Sequence, residues 1–184
     1  MVGTLDEFRS QLLGGGARSN QFRIEINNPP AGAVNIPIEN AAFLCTAANL
    51  PGMAVGEIAI PFRGRTLYLA GDRTFEPWDV TFLNDTNFAI RNAMERWNNS
   101  VNHLATGQGL TEPAQYMADI RVSQLDRDDR LLKTYTLINA FPLSVSSIEL
   151  SASETSAIEQ FSVSFRYQHF VTDGVIVDAP SGPF

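Results

Sequence analysis

Lysine occurs once in the 184 residues, at Lys133, cysteine once, at Cys45, and histidine only at His103 and His169. A single cysteine permits no internal disulfide, so packing alone must hold the fold. Cys45 is expected to be a small buried apolar residue rather than a reactive thiol. Neither histidine has a Cys, His or carboxylate at metal-ligand spacing, which argues against a metal centre. His103 falls at the end of a helical pattern, where a cation suits the helix dipole. The 13 basic residues, 12 of them Arg, face 20 acidic ones, for a net charge of −7. Without a basic cluster the chain has no means of neutralising a run of phosphates, so specific nucleic-acid binding is not expected. No stretch approaches 18 apolar residues, so no membrane anchor is expected. The start, Met-Val-Gly-Thr-Leu-Asp-Glu, lacks a basic segment followed by an apolar run, and the chain reads as made and folded in a cytosol.

Catalytic motifs are equally scarce. There is no Gly-x-Ser-x-Gly, no phosphate-binding Gly-rich loop and no dinucleotide fingerprint. Asp126, Asp128 and Asp129 resemble part of a calcium loop but lack its later glycine and glutamate, and Arg127 and Arg130 interrupt them. A solvated hairpin turn is the expected role. No enzyme activity and no cofactor are implied, and function must come from surfaces.

What is present is apolar. Hydrophobic residues make up 44% and charged residues 18%, the latter below the roughly 25% of an ordinary soluble domain. Such a chain folds, and much of its surface is expected to be covered by something other than water. The length suits one domain with ordered arms, burying about 70% of its unfolded surface.

Thr4 and Glu7 form a capping box for a short helix over residues 4–13, with Leu5, Phe8 and Leu12 on one face and Gly14-Gly15-Gly16 after it. Gln21–Asn27 alternates as a half-buried strand, and 41–47 is a weaker candidate. Residues 55–84 read as a three-strand antiparallel meander. In it Ile58, Ile60, Phe62, Leu67, Leu69, Trp78, Val80 and Phe82 enter the core, Arg63-Gly64-Arg65 reverses the chain and Ala70–Arg73 turns it again. Ile90, Met94, Trp97, Val101 and Leu104 keep a 3.6-residue period, which predicts a helix over 86–104 capped by Asp85 or Thr86. Strands over 119–125 and 131–139 flank the Asp126–Asp129 turn, Phe141-Pro142 breaks the pattern, and 144–150 is a further strand. Over 158–168, Phe161, Val163, Phe165 and Tyr167 alternate cleanly with polar residues. The tail from 172 onward is expected to be irregular. The sum is a mainly β sandwich or barrel with one packed helix.

One segment is specific. Ala70-Gly71-Asp72-Arg73-Thr74-Phe75, then Trp78-Asp79-Val80-Thr81, then Asn84-Asp85 before the helix, resembles the tail-tube proteins of contractile-tailed bacteriophages. Asn20–Ile26, Ala48-Asn49-Leu50-Pro51, Gly107-Gln108-Gly109, Phe141-Pro142 and Ile158–Val163 follow the family's order. The resemblance covers about residues 20–170, and the chain departs from the family's pattern in its N-terminal arm (1–19), in the Asn27–Phe43 stretch and in its C-terminal tail (171–184).

The resemblance implies an antiparallel β-sandwich that forms hexameric rings. The rings would stack into a hollow tube inside a sheath, between a baseplate and a tail terminator. Tape-measure protein and DNA would pass through the lumen without specific binding. It places the protein in the virion after assembly in the host cytoplasm. Within the family a sheet in the meander region lines the channel, so Glu57, Ala59, Thr66, Tyr68, Asp79 and Thr81 are the lumen-facing candidates. Arg63, Arg65, Asp72 and Arg73 are candidates for contacts between subunits, and Asp72 with Arg73 for an ion pair fixing the turn. Leu5, Phe8 and Leu12 are candidates for contacts between rings. The alternatives are a tube of a bacterial injection system or bacteriocin, a β-sandwich carbohydrate-binding module and a small hydrolase. The last is disfavoured by the empty motif search.

Overall fold

The computed structural model describes residues 16–27, 44–153 and 155–173, together with Leu5. Apart from Leu5, the expected N-terminal helix lies outside the described residues, as do 28–43 and 174–184. The elements that lie wholly among the described residues include, in order, β1 (Phe22–Asn27), β2 (Cys45–Ala48), β3 (Ala54–Phe62), β4 (Arg65–Thr74), β5 (Trp78–Leu83), α1 (Ala89–Val101), β6 (Ala118–Leu125), β7 (Leu131–Val145), β8 (Gln160–Arg166) and β9 (His169–Thr172).

Seven strands form one antiparallel hydrogen-bonded path, β1-β6-β7-β8-β5-β2, with β9 added to β7. The path has two halves. The first half of β7 pairs with β6 and β9, and its last residues, from Phe141, pair with β8. Side chains from both halves meet in one core. Ile24, Ile26, Ile120, Val122 and Leu137 come from one half, and Trp78, Val80, Phe82, Phe161, Val163 and Phe165 from the other. The helix adds Ile90, Ala93, Met94 and Trp97. Trp97 is fully buried and donates Nε1–H to the Tyr116 carbonyl at 2.7 Å, which satisfies its one polar atom.

The bend in β7 has a visible cause. Its pairing with β6 slips between Ala118 and Ile120, so Ile138 and Asn139 both oppose Asp119. Asn139 adopts φ 55°, a left-handed conformation that Asn tolerates better than most residues. Asp119 Oδ1 accepts the Asn139 N–H at 3.0 Å. Such a bulge re-aims a strand, and strands that change sheet do so at bulges. Phe141-Pro142 therefore does not end the strand as its composition predicts. Pro142 lies next to a second register shift, where a missing ladder donor is tolerated, and its carbonyl accepts Asn98 Nδ2–H at 3.0 Å. The strand expected over 144–150 shrinks to Ser144 and Val145.

Three other expectations change. The helix covers Ala89–Val101, not 86–104. The N-cap position is Phe88, in the left-handed region at φ 53°, and Asp85 acts from three residues before it, its Oδ1 accepting the Ala89 N–H at 2.9 Å. At the far end residues 102–110 fold back, with Leu110 N–H donating to Ser100 O, and Gly109 lies so close that a Cβ there would sit 1.9 Å from Val101 O. Leu104 continues the helical period in sequence but is 91% exposed. The expected three-strand meander does not form. β3 and β4 pair only with each other, whereas β5 pairs with β8 and β2. Phe75-Glu76-Pro77 carries the chain from that separate ribbon into the sandwich. Finally, Ala70–Arg73 lies inside β4 and is not a turn.

Replacing Asn139 by Val forces a β-branched residue into the left-handed region and is expected to cost about 1–2 kcal/mol. Asn139→Gly is expected to stay within about 0.5–1 kcal/mol of wild type. Urea titrations of the two variants test this, and equal loss in both would refute the account of the corner.

Candidate functional site

The alternation that builds the ribbon is ordinary, and its surroundings are not. Every residue of β3 is exposed, and so is every residue of β4 except the half-buried Gly71. In antiparallel pairing, directly opposed residues share a face. Ile58 opposes Leu69 and Ile60 opposes Leu67, so these four and Phe62 make one apolar stripe. Their exposures run from 41% for Ile60 to 65% for Phe62. The sequence placed these five in the core. Periodicity shows only that the residues share a face, and here that face has no cover within the subunit. A two-stranded ribbon has little stability alone in water, and a contiguous exposed apolar stripe marks an interaction surface.

The opposite ribbon face pairs Ala59 with Tyr68, Pro61 with Thr66 and Glu57 with Ala70. Four of the lumen candidates, Glu57, Ala59, Thr66 and Tyr68, therefore share one side. Asp79 and Thr81 lie elsewhere, on the β5 face that points away from the buried Trp78, Val80 and Phe82. They oppose Ser164 and Ser162. Thr81 Oγ1 and Ser162 Oγ are 3.0 Å apart, and Ser144 opposes Ser164 from β7. This outer face carries short hydroxyl side chains and the Asp79 carboxylate, with Gln160 and Arg166 at the two ends of the same face of β8. Ser144, Ser162 and Ser164 were not among the candidates, although the polar half of the 158–168 alternation had already placed Ser162 and Ser164 opposite the core.

The four inter-subunit candidates are all on the ribbon. Arg63 occupies the tip with φ 45° and lies over the Phe62 ring, 5.4 Å from its centre. Arg65 opposes Phe62. Arg73 opposes Val55, and its Nη1 donates to Met53 Sδ at 3.2 Å. Asp72 makes no ion pair with Arg73. Among the described residues the ion pairs are Arg91–Glu95 at 2.8 Å and Arg121–Glu25 at 3.5 Å. Of the inter-ring candidates, Leu5 is 75% exposed, and Phe8 and Leu12 lie outside the described residues.

No group of three or more His, Cys, Asp or Glu able to hold a metal ion occurs among the described residues. Cys45 is half-buried, and its Sγ donates to Ala47 O at 3.5 Å. Burial pushes its thiol up to about 12, with the backbone contact to Ala47 pulling the other way. At neutral pH it stays protonated and weakly nucleophilic.

A family model described as phage tail tube protein matches residues 17–173. The tail tube protein of Serratia phage KSP90 is 32% identical over 174 residues, spanning 94% of this chain and 98% of its own. Tail tube protein gp19 of Enterobacteria phage T4 is 30% identical over 170 residues, spanning 90% and 97%. Two solved structures share the fold at 17% identity. One is the tube-terminating cap of the anti-feeding prophage, with a TM-score of 0.61 over 85% of this chain and 89% of that one. The other is the extended sheath–tube complex of the extracellular contractile injection system PVC, with a TM-score of 0.58 over 94% and 98%.

In the unassembled protein the ribbon adds little to folding stability. Ile60→Ser is expected to change urea stability by no more than about 0.5 kcal/mol, whereas Phe165→Ala is expected to cost about 3–5 kcal/mol. A large loss from Ile60→Ser would mean that the stripe is covered within the subunit.

Proposed function

The chain belongs to the phage tail tube protein family and is a component of the phage tail, and from that premise we propose that its copies close into hexameric rings stacked as a hollow, rigid tube. The observation that carries this is the uncovered apolar stripe of the ribbon. A second copy of the same chain is its occupant, because a subunit that repeats along a tube can cover the same stripe on every copy. Removing the exposed half of Ile58, Ile60, Phe62, Leu67 and Leu69 from water is worth about 4–7 kcal/mol per subunit before the entropy of association. Arg63, Arg65, Asp72 and Arg73 ride on the same ribbon and supply charged contacts around the stripe.

The hydroxyl face of β5, β7 and β8, with Asp79 and Thr81, and the polar ribbon face, with Glu57, Ala59, Thr66 and Tyr68, turn to the channel. Glu57 and Asp79 repel DNA phosphate, the hydroxyls carry no charge to neutralise it and Arg166 is a single cation, so the wall lets a genome slide. Tape-measure protein and then DNA pass through without specific binding. The tube works inside a contractile sheath, between a baseplate and a terminator, and is assembled in the host cytoplasm. The fold shared with sheathed and capped tubes of contractile injection systems supports this setting. The relatives at 30% identity or more are phage proteins, which favours a genome-carrying tail over a bacterial injection device. The role is structural rather than catalytic. Leu5, Phe8 and Leu12 of the N-terminal arm tie adjacent rings.

Purified protein viewed by negative-stain electron microscopy is expected to give six-fold rings or tubes. Leu67→Glu together with Leu69→Glu is expected to abolish them while leaving the thermal midpoint within about 3 °C of wild type. Deleting residues 1–16 is expected to leave rings or monomers without long tubes. A wild-type protein that stays monomeric at every concentration sinks the reading. A tube map with Asp79 and Thr81 on the outside overturns the channel assignment and leaves the tube standing.

A further inference from the structure

The ribbon leaves the sandwich through a corner whose shape two glycines permit. Ala54 opposes Thr74 and Val55 opposes Arg73, but the next pair is Glu57 with Ala70. Gly56 therefore faces two residues, Gly71 and Asp72, which is a β-bulge. Bulges bend the strand that carries the extra residue and increase its twist. Neither glycine is among those with positive φ, so backbone conformation does not demand glycine here. Space does. A Cβ on Gly71 would lie 3.1 Å from both the carbonyl carbon and oxygen of Gly56, close enough that the backbone there must give by a few tenths of an ångström. A Cβ on Gly56 would meet Asp72 O at 3.4 Å, an ordinary contact. The constraint is thus concentrated on Gly71.

Everything beyond this point is the interaction surface. The six residues from Glu57 to Phe62 extend about 20 Å from the corner, so a small change of angle at Gly71 moves the tip by several ångströms. We propose that Gly71, through its contact with Gly56 and with Asp72 as the extra residue, is the positioning residue that sets the angle at which the apolar stripe is presented to the neighbouring subunit. The direction of the stripe, and with it the twist from ring to ring, then follows from the bulge rather than from the side chains of the stripe. This rests on the tube reading for its consequence but not for its geometry, and the two are tested separately.

The full-length chain carrying Cys45→Ser, Pro61→Cys and Gln168→Cys is spin-labelled at the two new cysteines, Pro61 being exposed near the ribbon tip. The distance from the ribbon tip to the sandwich is then measured with Gly71, with Gly71→Val and with Asp72 deleted, which restores one-to-one pairing. Gly52→Ala serves as control, because a Cβ there meets nothing within 4 Å. The two corner variants are expected to shift the distance by several ångströms, and the control is expected not to. The thermal midpoint should stay within about 3 °C in all of them. In electron micrographs, tubes from Gly71→Ala should show an altered twist, or assembly should stop at single rings. Unchanged distances in both corner variants overturn the proposal. So do Gly71→Ala tubes of wild-type twist, or a loss of sandwich stability that makes Gly71 a folding residue. Wild-type protein that forms no tubes, together with shifted distances, would refute the tube reading and leave the corner standing.

Discussion

Two sheets share one core because a single 15-residue strand belongs to both. The carboxylate of Asp119 holding the Asn139 amide makes that possible. Without the corner, β7 would run on as a flat edge, and Phe161, Val163 and Phe165 would have no opposite layer to meet. β8 and β9 repeat the crossing in the other direction, with Gln168 N–H bonded to Ile138 O beside the same corner. Tyr167 and Phe170 then join Phe75 and Tyr135 in a group of tilted and edge-on aromatic rings.

Much of the sandwich was legible because its strands obey rules that act over a few residues. β1, β6 and β8 alternate, with their apolar members turned to the core, whereas β7 opens on the exposed Leu131 and Leu132. The helix was legible for the same reason, and so was the part Asp85 plays at its start. The misses all lie where a distant partner decides. Leu104 fits the helical period, but the fold-back of Gly109 onto Val101 ends the helix first. β9 has only four residues, too few for a pattern to stand out, and exists because β7 offers it an edge. Pro142 reads as a breaker, and the bulge beside it disarms that reading.

The ribbon is the most informative of these cases. Its alternation is as regular as that of β5, yet one is buried and the other bare. Sequence periodicity reports which side chains travel together. It says nothing about whether the molecule that covers them is the same one. The glycine and aspartate at 71 and 72 read as a turn for a related reason. The same residues that close turns also build bulges, and only the partner strand distinguishes the two. The channel-facing candidates show the limit as well. Four of the six share a ribbon face and two sit on the sandwich, a division that no spacing rule reveals. On one face of the ribbon the bare stripe is built from Ile, Leu and Phe, and the charged side chains sit around it.

The continuity of β7 also has a mechanical meaning. In a sandwich whose layers are joined only by loops, shear between the layers is resisted by side-chain packing alone. Here a strand hydrogen-bonded into both layers crosses between them, so sliding one past the other must load peptide bonds and peel two ladders at once. Covalent bonds do not yield at forces that unzip hydrogen bonds one at a time. The subunit is therefore stiff in the direction in which a thrust on one layer would otherwise leave the other behind.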